Sequence, residues 1–162
     1  MYEDIFQTLL ANRFKLSSAE LSHKLELSID GKPQPRSTDG FISHSLLTPD
    51  DRIRLQIILD LNFAGSAFEI RSCYQIGDSK RIQADRDMAL ALRKQQIEPV
   101  MLIFCSSSLV SPVKRLKNFW EIYEGEKAFD FVKNLTNFDL QTYFQQEDKL
   151  IEEWMNKIFD MM

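Results

Sequence analysis

The chain has 162 residues, 44% of them apolar, with five Gly, five Pro and twelve Phe. This is enough for one domain with an aromatic-rich core, and it excludes a disordered or low-complexity protein. No stretch approaches the roughly 20 apolar residues of a membrane span. MYEDIFQTLL carries acids where a secretory leader carries bases, so a cytoplasmic protein is expected. The net charge of −4 is unevenly spread, with −3 over residues 1–70, +5 over 71–117 and −6 over 118–162. A basic middle on an acidic chain can still attract phosphate, because the local field steers a ligand.

In chain order, Ile5, Phe6, Leu9, Leu10 and Phe14 fall at helical spacing, predicting an amphipathic helix over 2–14 with acids in its first turn. Ser17-Ser18-Ala19-Glu20 has the form of a capping box opening a short second helix. KLELSIDG alternates at Leu25, Leu27 and Ile29 and stops at Asp30-Gly31, a strand and a turn. KPQPRSTDG follows, with two prolines that argue against a sheet, and reads as an irregular functional loop. Thr48-Pro49-Asp50-Asp51 opens a helix expected to reach about Asn62.

Residues 67–76 alternate as a strand, with Phe68, Ile70, Tyr74 and Ile76 on one face and Glu69, Arg71, Cys73 and Gln75 on the other. Asp78 or Ser79 then caps a helix over Lys80 to about Gln95, with Ile82, Met88, Ala89 and Leu92 inward. PVMLIFC, residues 99–105, is an unbroken apolar run, as in a central strand buried on both faces. Pro112 precedes the basic VKRLKNFW, and the tail EDKLIEEWMNKIFDMM sets Leu150, Ile151, Trp154, Met155, Ile158, Phe159 and Met162 on one helical face. The order predicts a single α/β domain over 1–162, with a small central mixed β-sheet flanked by helices, a core at about 25–106 and a helical region at about 112–162. Cys73 and Cys105 are expected as free cytosolic thiols. His23 and His44 have no Cys or acid at metal spacing, so a zinc site is not expected.

An acid and a base two residues apart on one strand face suit metal-dependent phosphodiester hydrolysis. Carboxylates hold Mg²⁺, and a cation offsets charge on the scissile phosphate. Here the chain resembles the PD-(D/E)XK nuclease superfamily, the restriction-endonuclease-like fold. Glu69-Ile70-Arg71 matches its acid-x-lysine position, the helix at 80–95 and the strand at 99–105 match its order, and Asp39 in STDGFI matches its first acid. EIRSCYQIGDSKRIQAD followed by EPVMLIF looks like type II restriction enzymes in particular. Two departures stand: Arg71 replaces lysine, and Asp39 precedes Gly rather than following Pro.

The resemblance implies a restriction-type, Mg²⁺-dependent endonuclease acting on double-stranded DNA, with symmetric cutting by two copies in a homodimer joined by the C-terminal helix. Asp39 and Glu69 would bind the metal and Gln75 would line the site. Arg71 and Lys80 would hold the scissile phosphate. Lys80 is the better group to activate water, since a guanidinium hardly ever loses its proton. Arg81, Arg86, Lys114, Arg115 and Lys117 would meet the DNA backbone. The other expectation is a nuclease-like fold without catalysis, serving as a DNA-binding or protein-interaction module. A rival register, Asp60 with Asp78-Ser79-Lys80, is disfavoured because Asp60 falls in the helix begun at Thr48.

Overall fold

The computed structural model describes residues 1–29, 32–75, 77 and 79–160. Asp30-Gly31, Ile76, the candidate cap Asp78, the last two methionines, the side chains of Ser28 and Ile29, and those of 151–160, which carry most of the expected apolar face of the tail, lie outside the described residues.

Helix α1 (Tyr2–Phe14) forms where expected and buries Phe6 and Leu10. The Ser17 box closes, with Ser17 N–H donating to Glu20 Oε2 at 2.9 Å. It makes only a turn, because the chain must be extended again by Lys24. Strand β1 (Lys24–Ile29) then pairs antiparallel with β2 (Lys32–Ser37), a separate two-stranded ribbon. The expected irregular loop is therefore a strand. Pro33 and Pro35 are two apart and turn their nitrogens to the same side, the unpaired outer edge, where no ladder bond is lost.

The main sheet has the order β3-β4-β5-β6. Strand β3 (Gly40–Ser43) runs antiparallel to β4 (Gly65–Arg71), which runs parallel to β5 (Ile97–Ile103), itself parallel to β6 (Glu121–Glu124). The single α/β domain with a mixed sheet is as the element order predicts. The region expected to be purely helical, however, supplies β6. A Cβ on Gly40 would sit 2.8 Å from Phe6 Cε1, so glycine lets α1 lie directly on β3.

Between β3 and β4, α2 (Pro49–Leu55) is capped by Thr48, whose side chain accepts from Asp51 N–H at 3.1 Å. It stops well short of Asn62. Asp60 N–H donates to Glu98 Oε1, and Asp60 Oδ1 accepts from Asn62 N–H, so side chains satisfy backbone that a helix would otherwise use. Asp60 is thus outside any helix, and the ground given against the rival register does not hold. The structure gives a different one: Asp60 sits beside Glu98 on β5, whereas Lys80 lines a cleft with Glu69.

Helix α3 (Ser79–Lys94) joins β4 to β5, and α4 (Val110–Leu116) joins β5 to β6. Helices α5 (Glu126–Thr136) and α6 (Leu140–Asp160) follow. Two apolar layers sandwich the sheet. Phe6, Leu10, Phe68, Ile70, Val100, Leu102 and Phe131 form one, between the sheet and α1 and α5. Leu25, Leu27, Met88, Leu92, Met101, Ile103 and Trp120 form the other, under the ribbon, α3 and α4. Residues of β4 and β5 alternate between the layers, so both faces of β5 are buried. Among the described residues no helix is long and apolar enough to cross a membrane.

Candidate functional site

The period of two on β4 sends Phe68 and Ile70 into the α1 layer and leaves Glu69 and Arg71 on the α3 side. Strand β4 ends at Arg71, five residues earlier than predicted. Tyr74 consequently joins the α3 layer instead of the face of Phe68 and Ile70. Gln75 is exposed beyond the strand end and is not among the cleft-lining residues, which removes the ground for placing it in the site.

Asp39 lies just ahead of β3 and reaches β4 directly. Its Oδ2 accepts from Ile70 N–H at 2.8 Å, and its backbone oxygen accepts from Gln7 Nε2 of α1 at 2.9 Å. Arg71 is the hub of three carboxylates. It donates to Glu69 Oε1, lies 3.5 Å from Asp39 Oδ2 through Nη1, and approaches Asp85 Oδ1 of α3 at 3.9 Å through Nη2. Asp85 is fixed from behind, since Tyr74 Oη donates to its Oδ2 at 2.6 Å and Trp120 Nε1 to its backbone oxygen at 2.9 Å. Glu69 is only 7% exposed, and its Oε2 has no hydrogen-bond partner among the described residues.

Burial pushes the Glu69 carboxyl up to about 7, against the opposing pull of Arg71 and with further upward pressure from Asp39 and Asp85. Burial also raises Asp39, while the Ile70 N–H and Arg71 hold it back. Glu3, in the first turn of α1, is raised chiefly by the charge of Asp39, which places that helix end in the field of the same cluster. Burial and the bond to Asp85 raise Tyr74, keeping its phenol protonated as a donor.

Glu69, Arg71 and Asp85 border a cleft of about 460 Å³ between the ribbon and α3, also lined by Gln34, Arg36, Lys80 and Arg81 among others, with Asp39 beside Arg71 but outside that lining. No family model, curated protein or solved structure matches this chain. The chemistry must therefore be read from the cleft itself. Its lining carries Arg36, Arg71, Lys80 and Arg81 against Glu69 and Asp85, so a chain of net charge −4 presents an excess of positive charge here. That suits an anionic ligand.

Of the sequence-derived residues, the structure brings together Asp39, Glu69 and Arg71, and it sets Lys80 and Arg81 in the same cleft. Arg86 is instead paired with Asp87 at 2.7 Å, and Lys117 with Glu124 at 3.0 Å. Lys114 and Arg115 are exposed on α4, away from the cleft lining. Sequence reasoning missed Asp85, Gln34 and Arg36. Asp85 had a signal: it falls between Ile82 and Met88 at helical spacing, an acid on an otherwise apolar stripe.

Cys73 and Cys105 form a disulfide, correcting the expectation of free thiols. Arg71 and Ile103 are register partners across the parallel β4–β5 pair, and each cysteine lies two residues beyond its strand, at the same level. Their Cα atoms are 5.2 Å apart, within the usual bridging range.

Proposed function

We propose that the cleft is the active site of a Mg²⁺-dependent, restriction-type DNA endonuclease with a restriction-endonuclease-like fold. The observation that carries this reading is the convergence of Asp39, just ahead of β3, and Glu69, on the adjoining β4, on the Arg71 guanidinium, where Glu69 and Arg71 line a basic cleft. The donor set is chemically suited to a hard divalent ion. Both residues offer carboxylate oxygens, and Glu69 Oε2 is buried without a partner among the described residues.

Asp39 and Glu69 would hold the ion. When bound it would polarise the phosphate and make water more acidic. The chain's own residues account for the remainder. Arg71 holds both carboxylates in place and offsets their charge. Lys80 and Arg81 orient the scissile phosphate from α3, with Lys80 the group suited to a proton transfer that a guanidinium cannot make. Two-fold symmetric cutting of double-stranded DNA would need a homodimer, and the 21-residue α6 is the proposed contact surface. A cytoplasmic location is part of this proposal. There the Cys73–Cys105 bond would be opened and re-formed by the thiol pool, since cytosolic disulfides are mostly transient or redox-sensing.

One observation favours a second reading. A guanidinium already sits among Asp39, Glu69 and Asp85, where it offsets their charge without a metal. On that basis the fold would be a catalytically silent DNA-binding or protein-interaction module.

Calorimetric titration with Mn²⁺, as a heat-yielding stand-in for Mg²⁺, separates the two readings. The nuclease reading expects saturable binding by the wild type, lost in Glu69→Gln and in Asp39→Asn, and tighter as pH rises through about 7 because the ion needs Glu69 ionised. Equal heats from wild type and Glu69→Gln would count against it.

A further inference from the structure

We propose that β2 is the second wall of the nucleic-acid site, with Arg36 and Gln34 gripping the sugar–phosphate backbone opposite Lys80 and Arg81. The inference rests on the DNA-binding part of the reading above and is independent of cleavage.

Gln34 and Arg36 are two apart on β2, share one face, and both line the cleft that Glu69 and Arg71 floor. Both are exposed, and among the described residues Arg36 makes no ion pair. Arg71, by contrast, is committed to three carboxylates. Arg36 is therefore a cation available to a ligand on the ribbon side. Its planar fork suits a phosphate oxygen pair, and the Gln34 amide adds an uncharged donor beside it.

The local sequence fixes this orientation. Pro33 and Pro35 alternate with Gln34 and Arg36 and have no N–H to give to β1. A one-residue slip of β2 would turn both proline nitrogens toward β1, break the ladder, and swing Arg36 away from the cleft. Leu25 and Leu27, the partners of Arg36 and Gln34, anchor the ribbon in the α3 layer, so the wall stands on packed residues.

The test measures the affinity of a fluorescent DNA duplex over a salt series, in Ca²⁺ to suppress cutting, for wild type, Arg36→Ala, Gln34→Ala and Lys127→Ala. Lys127 is exposed on α5 and serves as the control for general charge loss. Far-UV circular dichroism confirms that each exposed variant folds. Arg36→Ala should weaken binding roughly tenfold and reduce the slope of log affinity against log salt by about 0.9, the value for one lost phosphate contact. Gln34→Ala should weaken binding with the slope unchanged, and Lys127→Ala should alter neither. An Arg36→Ala slope equal to that of the wild type would overturn the inference. Wild-type protein that binds no duplex would overturn it together with the DNA reading. Wild-type protein that binds, responds to Arg36→Ala as stated and yet does not cut the duplex when Ca²⁺ is replaced by Mg²⁺ or Mn²⁺ would uphold it while ending the nuclease reading.

Discussion

Arg71→Met is expected to lower folding stability by about 3–5 kcal/mol, the usual cost of leaving buried charge uncompensated. Asp39, Glu69 and Asp85 all lose their shared cation in this variant, while the methionine occupies similar volume, so the loss reports charge and not a cavity. The effect should depend on pH in a defined sense. In the wild type burial pushes the Glu69 carboxyl up to about 7, above the ordinary carboxyl value of 4.5. A raised folded-state value means that this group's contribution is fully present below the unfolded value and is lost as pH rises through about 7. Removing Arg71 removes the main influence holding Glu69 down, so the variant should lose stability with rising pH more steeply than the wild type. Urea melts of both proteins across this range provide the measurement. A divalent ion that binds the same carboxylates should recover more stability in Arg71→Met than in the wild type, because the competing guanidinium is gone. A loss below about 1 kcal/mol at neutral pH would mean that the cluster is better solvated than its burial indicates.

Replacing both cysteines, Cys73→Ser with Cys105→Ser, should lower stability by roughly 3–4 kcal/mol relative to the oxidised protein. The bond spans 32 residues of sequence and closes a loop containing all of α3 and β5. Cutting that constraint restores entropy to the unfolded chain. It also frees the segment after β4 that carries Tyr74, and with it the hydroxyl that holds Asp85. The double variant avoids a lone thiol. Guanidinium melts of oxidised, reduced and doubly substituted protein should place the last two together, below the first. Thiol titration of the denatured, unreduced protein should find no free cysteine. Coincident melts for all three forms would contradict the structural role of the bond.

Much of the architecture is legible wherever one strong pattern determines an element. The apolar run before Cys105 marks β5 because a strand buried on both faces is apolar nearly throughout, Glu98 near its start being the exception. Thr48 marks the start of α2 because its hydroxyl and Pro49 together fit only a helix N-terminus. Glu69 and Arg71 are readable as neighbours from strand periodicity alone. What stays hidden depends on tertiary partners. Pro33 and Pro35 argue against a strand until β2 is known to be an edge, and β6 has only four residues, most of them half-buried. The contact of Asp39 with Ile70 and Arg71 needs the antiparallel β3–β4 pairing, which no local signal announces. Cysteine pairing depended on the β4–β5 register, although both strands were visible.

The most direct measurement of the central claim is plasmid cleavage: supercoiled and linear double-stranded DNA incubated with the protein in Mg²⁺ and separately in Mn²⁺, beside Glu69→Ala. The nuclease reading expects metal-dependent conversion of supercoiled DNA to open and linear forms by the wild type, reduced at least a hundredfold in the variant as for loss of a principal transition-state group. No cutting by the wild type on varied DNA, or equal cutting by both proteins, would contradict it.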